Sequence, residues 1–174
     1  MAEPLLDGVK TRLGGPRDAA VIAQLVLAGF ASWEWAPEWT PSPTDVDESE
    51  VAEWLAKPGV WCLLAIHDGR PVGQTTLSPA LTDEEPRNEI PGLGHLRHLF
   101  VLPDWHGTGL GAFLLDRAVG EARMRGYSRV RLWTPRDNAR ARAFYEREGW
   151  RATGVELVAN RFGLPLVQYV RDLG

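Results

Sequence analysis

Apolar and polar residues along the 174-residue chain recur with two periods, and the switches between them mark its elements. "VKTRL" at 9–13 alternates as a short strand. "PRDAAVIAQLVLAGF" then repeats Val21, Ile22, Leu25 and Phe30 at helical spacing, with Asp18 in the first turn. A Pro- and Trp-rich connection follows, and a second amphipathic helix covers about 46–56. "GVWCLLAIHDGRPVGQTTLSPA" reads as two strands around Asp-Gly, a pair suited to a tight hairpin turn. "LTDEEPRNEIPGLG" reads as a long polar loop, long enough to act as a lid.

"HLRHLFVLP" is the next strand, closed by Pro103. In "GTGLGAFLLDRAVGEARMRG", Leu110, Leu114, Ala118 and Ala122 fall four apart on one helical face, and Gly126 ends the helix. "YSRVRLWTP" is a strand, "NARARAFYEREGW" a helix, and "RATGVELV" and "LPLVQYVRDL" are closing strands. The order is β-α-α-β-β-β-α-β-α-β-β, an α/β (α+β) arrangement, and the length fits one domain over residues 1–174.

Composition narrows the setting. No apolar run reaches the roughly 18 residues a bilayer span needs, and the N-terminus lacks the basic-then-apolar pattern of a secretory leader. The lone Cys62, inside "VWCLLAI", reads as a small buried hydrophobe and cannot close an internal disulfide, which points to a cytoplasmic protein. A net charge of −4 conceals a division: residues 1–96 carry 15 acids and 6 bases, while residues 97–151 carry 6 acids and 11 arginines. The second stretch would draw anions toward it. The acidic whole argues against nucleic acid as a main partner.

The most informative stretch is "DWHGTGLGAF". A strand, a glycine loop and a helix leave unpaired N–H groups and a partial positive charge at the helix start. Gly107, Gly109 and Gly111 lack the Cβ atoms that would keep a phosphate away from them. A P-loop would continue into Gly-Lys-Ser/Thr, which is missing. A loose GxGxxA pattern is present, but "PDWH" separates it from the strand, where a dinucleotide turn is tighter.

"VLPDWHGTGLGAFLL" followed by "NARARAFYEREGW" resembles the GNAT superfamily of N-acetyltransferases. Its motif pairs a glycine loop opening a long helix with a later helix that carries Asn138, Ala141, Tyr145, Gly149 and Trp150 at matching positions. The resemblance implies a mixed sheet of about six to seven strands with flanking helices, and acetyl-CoA as co-substrate with no metal. Leu99, Phe100 and Val101 would run beside the pantetheine arm. The loop from His106 through Gly107, Thr108, Gly109 and Leu110 to Gly111 would hold the pyrophosphate, with Asn138 at the cofactor or capping its helix. His106 stands where the family usually has Arg or Gln.

The same resemblance gives Tyr145 the role of general acid toward the leaving thiolate. An amine must lose a proton before it attacks, and His95 is the candidate base, because imidazole titrates near neutrality. A water relay, or Glu89 in the long loop, would serve equally. His98, three residues on, should face the other side of the strand, so the two do not join as metal ligands. Trp33, Trp35 and the acids from Glu34 to Glu53 suit a cationic acceptor, although acids on a solvated surface with core tryptophans fit the same pattern.

The activity implied is acetyl transfer to a primary amine of a small molecule. A protein N-terminus is the rival acceptor, weakened because position 133 holds Trp where peptide acetyltransferases of this family typically have Glu. A non-catalytic acyl-CoA-binding domain is the alternative of another class. A homodimer accords with the family's habit.

Overall fold

The protein is described by a computed structural model covering residues 6–158 and 160–174. Met1–Leu5, where the leader was sought, lie outside the described residues.

The strands are β1 (Val9–Leu13), β2 (Trp61–His67), β3 (Arg70–Leu81), β4 (Glu89–Val101), β5 (Arg129–Pro135), β6 (Arg151–Leu157) and β7 (Leu166–Asp172). The helices are α1 (Ala19–Ala31), α2 (Pro43–Val46), α3 (Glu48–Leu55), α4 (Leu110–Met124) and α5 (Ala139–Arg147). The second helix of the sequence reading is thus two pieces. Asp47 divides them, and its carboxylate accepts the N–H of Glu50 as the cap of α3.

One seven-stranded sheet has the order β1-β2-β3-β4-β5-β7-β6. The Asp-Gly turn joins β2 to β3, with Asp68 at φ 48 and Gly69 at φ 74, the double positive φ of a two-residue hairpin. The long polar loop is shorter than the sequence indicates. Leu81 pairs with Glu89, so only Thr82–Asn88 connects β3 to β4, and "EIPGLG" belongs to the strand. Pro91 is tolerated because the β3–β4 register breaks between Pro79 and Leu81, where a missing donor costs no ladder bond. Neither this connection nor Glu89 reaches the cleft described below.

α4 covers one face of the sheet. The predicted stripe is buried: Leu110 and Leu114 pack with Leu63, Ala65 and Val72, and Ala118 and Ala122 pack with Leu115 and Val119 against Leu96, Val130 and Leu132. α1 and α3 cover the other face, where Ile22, Leu25, Val26 and Phe30 meet Val51, Leu55, Cys62 and Leu64. Cys62 is buried there, and burial pushes its thiol up to about 12, so it packs as a small hydrophobe.

β4 and β5 pair in parallel only from Leu93 with Arg129 to Leu96 with Leu132. Beyond that, β4 continues to Val101 bonded to β3, and β5 to Pro135 bonded to β7. The two strands therefore part, and the cleft between them is a cavity of about 960 Å³.

Candidate active site

The parting of β4 and β5 leaves the cleft flanked by the segments most distinctive in the sequence. Its lining includes His95 to Val101 of β4, Trp133 to Pro135 of β5, the start of α4 and one face of α5. Trp33 and Trp35 line it from the segment after α1, and Phe162 from the connection between β6 and β7.

Gly109 sits at φ 90 as the residue preceding α4, and Gly107 at φ 77; a Cβ built on either meets nothing within 4 Å. The left-handed backbone favours glycine, and the space beside it is open. By helix geometry the first-turn N–H groups of Gly111 and Ala112 have no partner within α4, and both residues line the cavity. Ala112 went unnoticed in the sequence because it carries no polar side chain. Leu110 contributes less than expected: its side chain is core, and its N–H meets the Thr108 hydroxyl at 3.3 Å. That hydroxyl donates to the Trp105 carbonyl, so Thr108 shapes the loop.

His106 is placed differently from a phosphate donor. Its Nε2 lies 3.1 Å from the Val101 carbonyl and its Nδ1 3.0 Å from Nη1 of Arg140. A carbonyl only accepts and a guanidinium only donates, so both contacts hold together in the neutral ring with its proton on Nε2. Burial and then Arg140 lower its pKa, in keeping with that form. The ring has no donor left for a phosphate, and the Val101 carbonyl is taken. Arg140, absent from the expectation, lines the cavity in the first turn of α5. Its position two residues beyond Asn138 was the available signal.

Asn138 caps α5, its Oδ1 accepting the N–H of Ala141 at 3.1 Å, and it also lines the cleft. Tyr145, two turns on, lines the same cleft. Its ring packs near Phe144, Trp150 and Tyr169, and burial raises its phenol well above the ordinary range, so it keeps its proton at neutral pH. α5 is tied to β7 by a chain of contacts centred on the buried Tyr169: Arg142 Nε donates to the Tyr169 hydroxyl at 3.0 Å, and that hydroxyl donates to Glu146 at 2.7 Å.

The histidines of β4 depart from expectation in two ways. Thr76 pairs with His98 and Leu77 with Leu96, which leaves Arg97 as an extra residue in β4. This bulge resets the alternation, so His95 and His98 share the α1/α3 face instead of opposing ones. His98 lies 5.6 Å from the ring of Trp54 in α3. His95 lines the cleft, but burial first, then Arg131 and Arg97, pull its pKa down to about 3. The near-neutral titration on which its role as base relied is lost. Burial and Arg97 lower His98 likewise.

The acidic residues also sit elsewhere. Glu34, Glu38, Asp47, Glu48, Glu50 and Glu53 are exposed, and none lines the cleft. Its charged lining is Arg97, Arg140, Arg147 and Arg161 against the one carboxylate of Glu148 among the described residues. Trp33, Trp35, Phe30 and Phe162 give it an aromatic end, built where ring centroids lie 5.1 Å (Trp33 to Trp35) and 5.5 Å (Phe30 to Phe162) apart. Phe162 gave no local signal, because it reaches Trp39 and Trp33 across 123 and 129 positions of chain. Among the described residues no three His, Cys, Asp or Glu side chains gather as a metal site. No helix of them is long and apolar enough to cross a membrane.

Comparison with known proteins agrees with this geometry. The chain is 30% identical over 165 residues to a mycothiol acetyltransferase of Beutenbergia cavernae, covering 95% of this chain and 52% of that protein. It thus spans about half that relative's length. A crystal structure of a GNAT-family acetyltransferase from Desulfovibrio desulfuricans superposes with a TM-score of 0.73 at 28% identity, covering 95% of this chain and 99% of that one. The PaiA N-acetyltransferase of Thermoplasma acidophilum, solved in complex with coenzyme A, shares the fold with a TM-score of 0.73 at 14% identity over 94% and 98% of the chains. Residues 27–150 match the acetyltransferase (GNAT) family, and with the parted strands, glycine loop and Asn-to-Tyr helix in place, the chain belongs to that family.

Proposed function

We propose that this protein transfers the acetyl group of acetyl-CoA to the primary amine of a small molecule, with Tyr145 as general acid. The observation that carries the reading is the position of Tyr145: it keeps its proton and lines the same cleft as the open amides at the start of α4. The pyrophosphate would lie on the backbone of Gly107, Gly109, Gly111 and Ala112, where the helix start favours an anion. The pantetheine arm would follow β4 at Leu99 and Phe100 toward Tyr145. The aromatic end at Trp33, Trp35 and Phe162 would take the acceptor.

In this reaction the amine lone pair forms a bond to the thioester carbonyl carbon, and the C–S bond then breaks. The sulfur leaves with the phenolic proton of Tyr145, and the nitrogen gives up a proton that solvent returns to the phenolate. Amine and acetyl-CoA thus become amide and free thiol. No enzyme nucleophile is needed. With His95 held neutral by burial and Glu89 outside the cleft, the amine enters as its free base or loses its proton to water. The cationic lining disfavours a charged acceptor, so a neutral amine on an aromatic or apolar body fits better than the cation expected from the sequence. The Beutenbergia relative is by name a mycothiol acetyltransferase, in keeping with an acceptor other than a polypeptide.

Thiol release from acetyl-CoA with a panel of amines tests the reading. Tyr145→Phe should lower kcat about a hundredfold, the scale of general acid catalysis, with little change in KM for acetyl-CoA. A Phe variant with wild-type kcat would remove Tyr145 from the chemistry. Absence of amine-dependent thiol release across the panel would favour the acyl-CoA-binding alternative.

A further inference from the structure

We infer that Arg140 is the cationic arm that meets the phosphates of the acyl donor, and that His106 is a positioning residue that aims it. This rests on the proposal that the cleft takes acetyl-CoA. The family's usual Arg or Gln at position 106 would offer donors directly; here the imidazole has spent both nitrogens. One binds the Val101 carbonyl at 3.1 Å and the other accepts from Arg140 at 3.0 Å. The ring therefore bridges the end of β4 to the first turn of α5, and Arg140 lines the cavity together with Gly107, Gly109 and Gly111. A guanidinium carries five N–H donors in a planar fork, so one donated to His106 leaves a pair for bidentate contact with a phosphate. Arg140 thus offers, from a neighbouring element, the donors that the side chain at position 106 does not.

The two roles open to His106 differ in the sign of their pH dependence. A histidine that bound phosphate itself would bind more tightly once protonated. A histidine that accepts from Arg140 would release it, because the protonated ring has only donors and repels the guanidinium. Arg140 from α5 is the charged group bearing on the ring, and β4 contributes the Val101 carbonyl.

Calorimetric titration with CoA, with pantetheine followed by ligand-observed NMR as the probe lacking phosphates, separates these cases. Arg140→Gln should weaken CoA about tenfold or more, the scale of one charge-assisted hydrogen bond, and leave pantetheine unchanged. His106→Leu should weaken CoA similarly. His106→Gln should keep wild-type affinity, since its amide can donate to Val101 and accept from Arg140 at once. Between neutrality and about pH 5, wild-type affinity should fall relative to His106→Gln, which reports any protonation of CoA itself. CoA binding by the wild type that Arg140→Gln leaves intact, or that strengthens in acid relative to His106→Gln, overturns the inference alone. A wild type that binds no CoA overturns the acetyl-CoA reading, and this one with it.

Discussion

His95 and His98 sit three residues apart on one strand, a spacing that should oppose them, yet they share a face because Arg97 is an extra residue between them. A histidine in such surroundings is held neutral, since burial and nearby arginines disfavour the imidazolium. The cost appears when the protein is acidified. Between the usual imidazole value of 6.5 and the folded value of about 3, the unfolded chain carries more protons on His95 than the folded chain does. Stability therefore rises with pH across that window and is lost as pH falls through it. Urea denaturation at a series of pH values should show this loss. His95→Gln, whose amide does not titrate, should show a shallower one; an equal slope in both proteins would mean that His95 is not buried as described. At this scale the residue types were legible in the sequence but their environments were not. Imidazole at position 95 was visible, while the bulge that turns it toward α1 and α3 depends on pairing with β3.

α5 shows how an element carries its chemistry. Its start is fixed locally by Asn138, and its body is fastened to β7 by the chain from Arg142 through the fully buried Tyr169 hydroxyl to Glu146. Tyr145 lies between those anchors. Removing the hydroxyl leaves two side chains without their shared partner. Tyr169→Phe should therefore cost about 0.5–1.5 kcal/mol of stability and lower kcat by letting Tyr145 drift, with KM for acetyl-CoA less affected. Calorimetric melting and steady-state kinetics would check this, and wild-type values in both would show that the chain of contacts does not hold α5 in place. Elements of this kind were the most legible part of the fold. The stripe of α4, the Asp-Gly hairpin and the Asn-to-Tyr spacing are all written in local periodicity. The stretch from Leu81 to Gly94 was not, because Pro91, Gly92 and Gly94 look like loop residues, and only the pairing of β3 with Glu89 and Gly94 and of β5 with Leu93 and Gly94 makes the stretch a strand.

For the whole molecule, the charge division of the sequence proves to be mostly scaffolding. In the basic stretch, Arg125 pairs with Glu121, Arg129 and Arg151 share Asp172, and Arg136 lies near Asp137 and Glu156. These surface pairs contribute little individually. Arg97, Arg140 and Arg147 are the members of that stretch that line the cleft. The glycine loop opening α4 was legible because strand, alternate glycines and helix adjoin in the sequence, whereas the His106–Arg140 bridge joins residues 34 apart and needs the fold to be seen.

If the glycine loop holds an anionic cofactor on its amides, a carboxylate built into the loop by Gly111→Asp should displace it. A Cβ at Gly111 makes only ordinary contacts, the nearest 3.7 Å from Phe144, and a carboxylate suits the first turn of a helix. The variant should melt at or above the wild-type temperature while its charge occupies the anion's place. Calorimetric titration with acetyl-CoA should give saturable binding for the wild type and none for Gly111→Asp. Equal affinity in the two proteins would contradict the assignment of the loop.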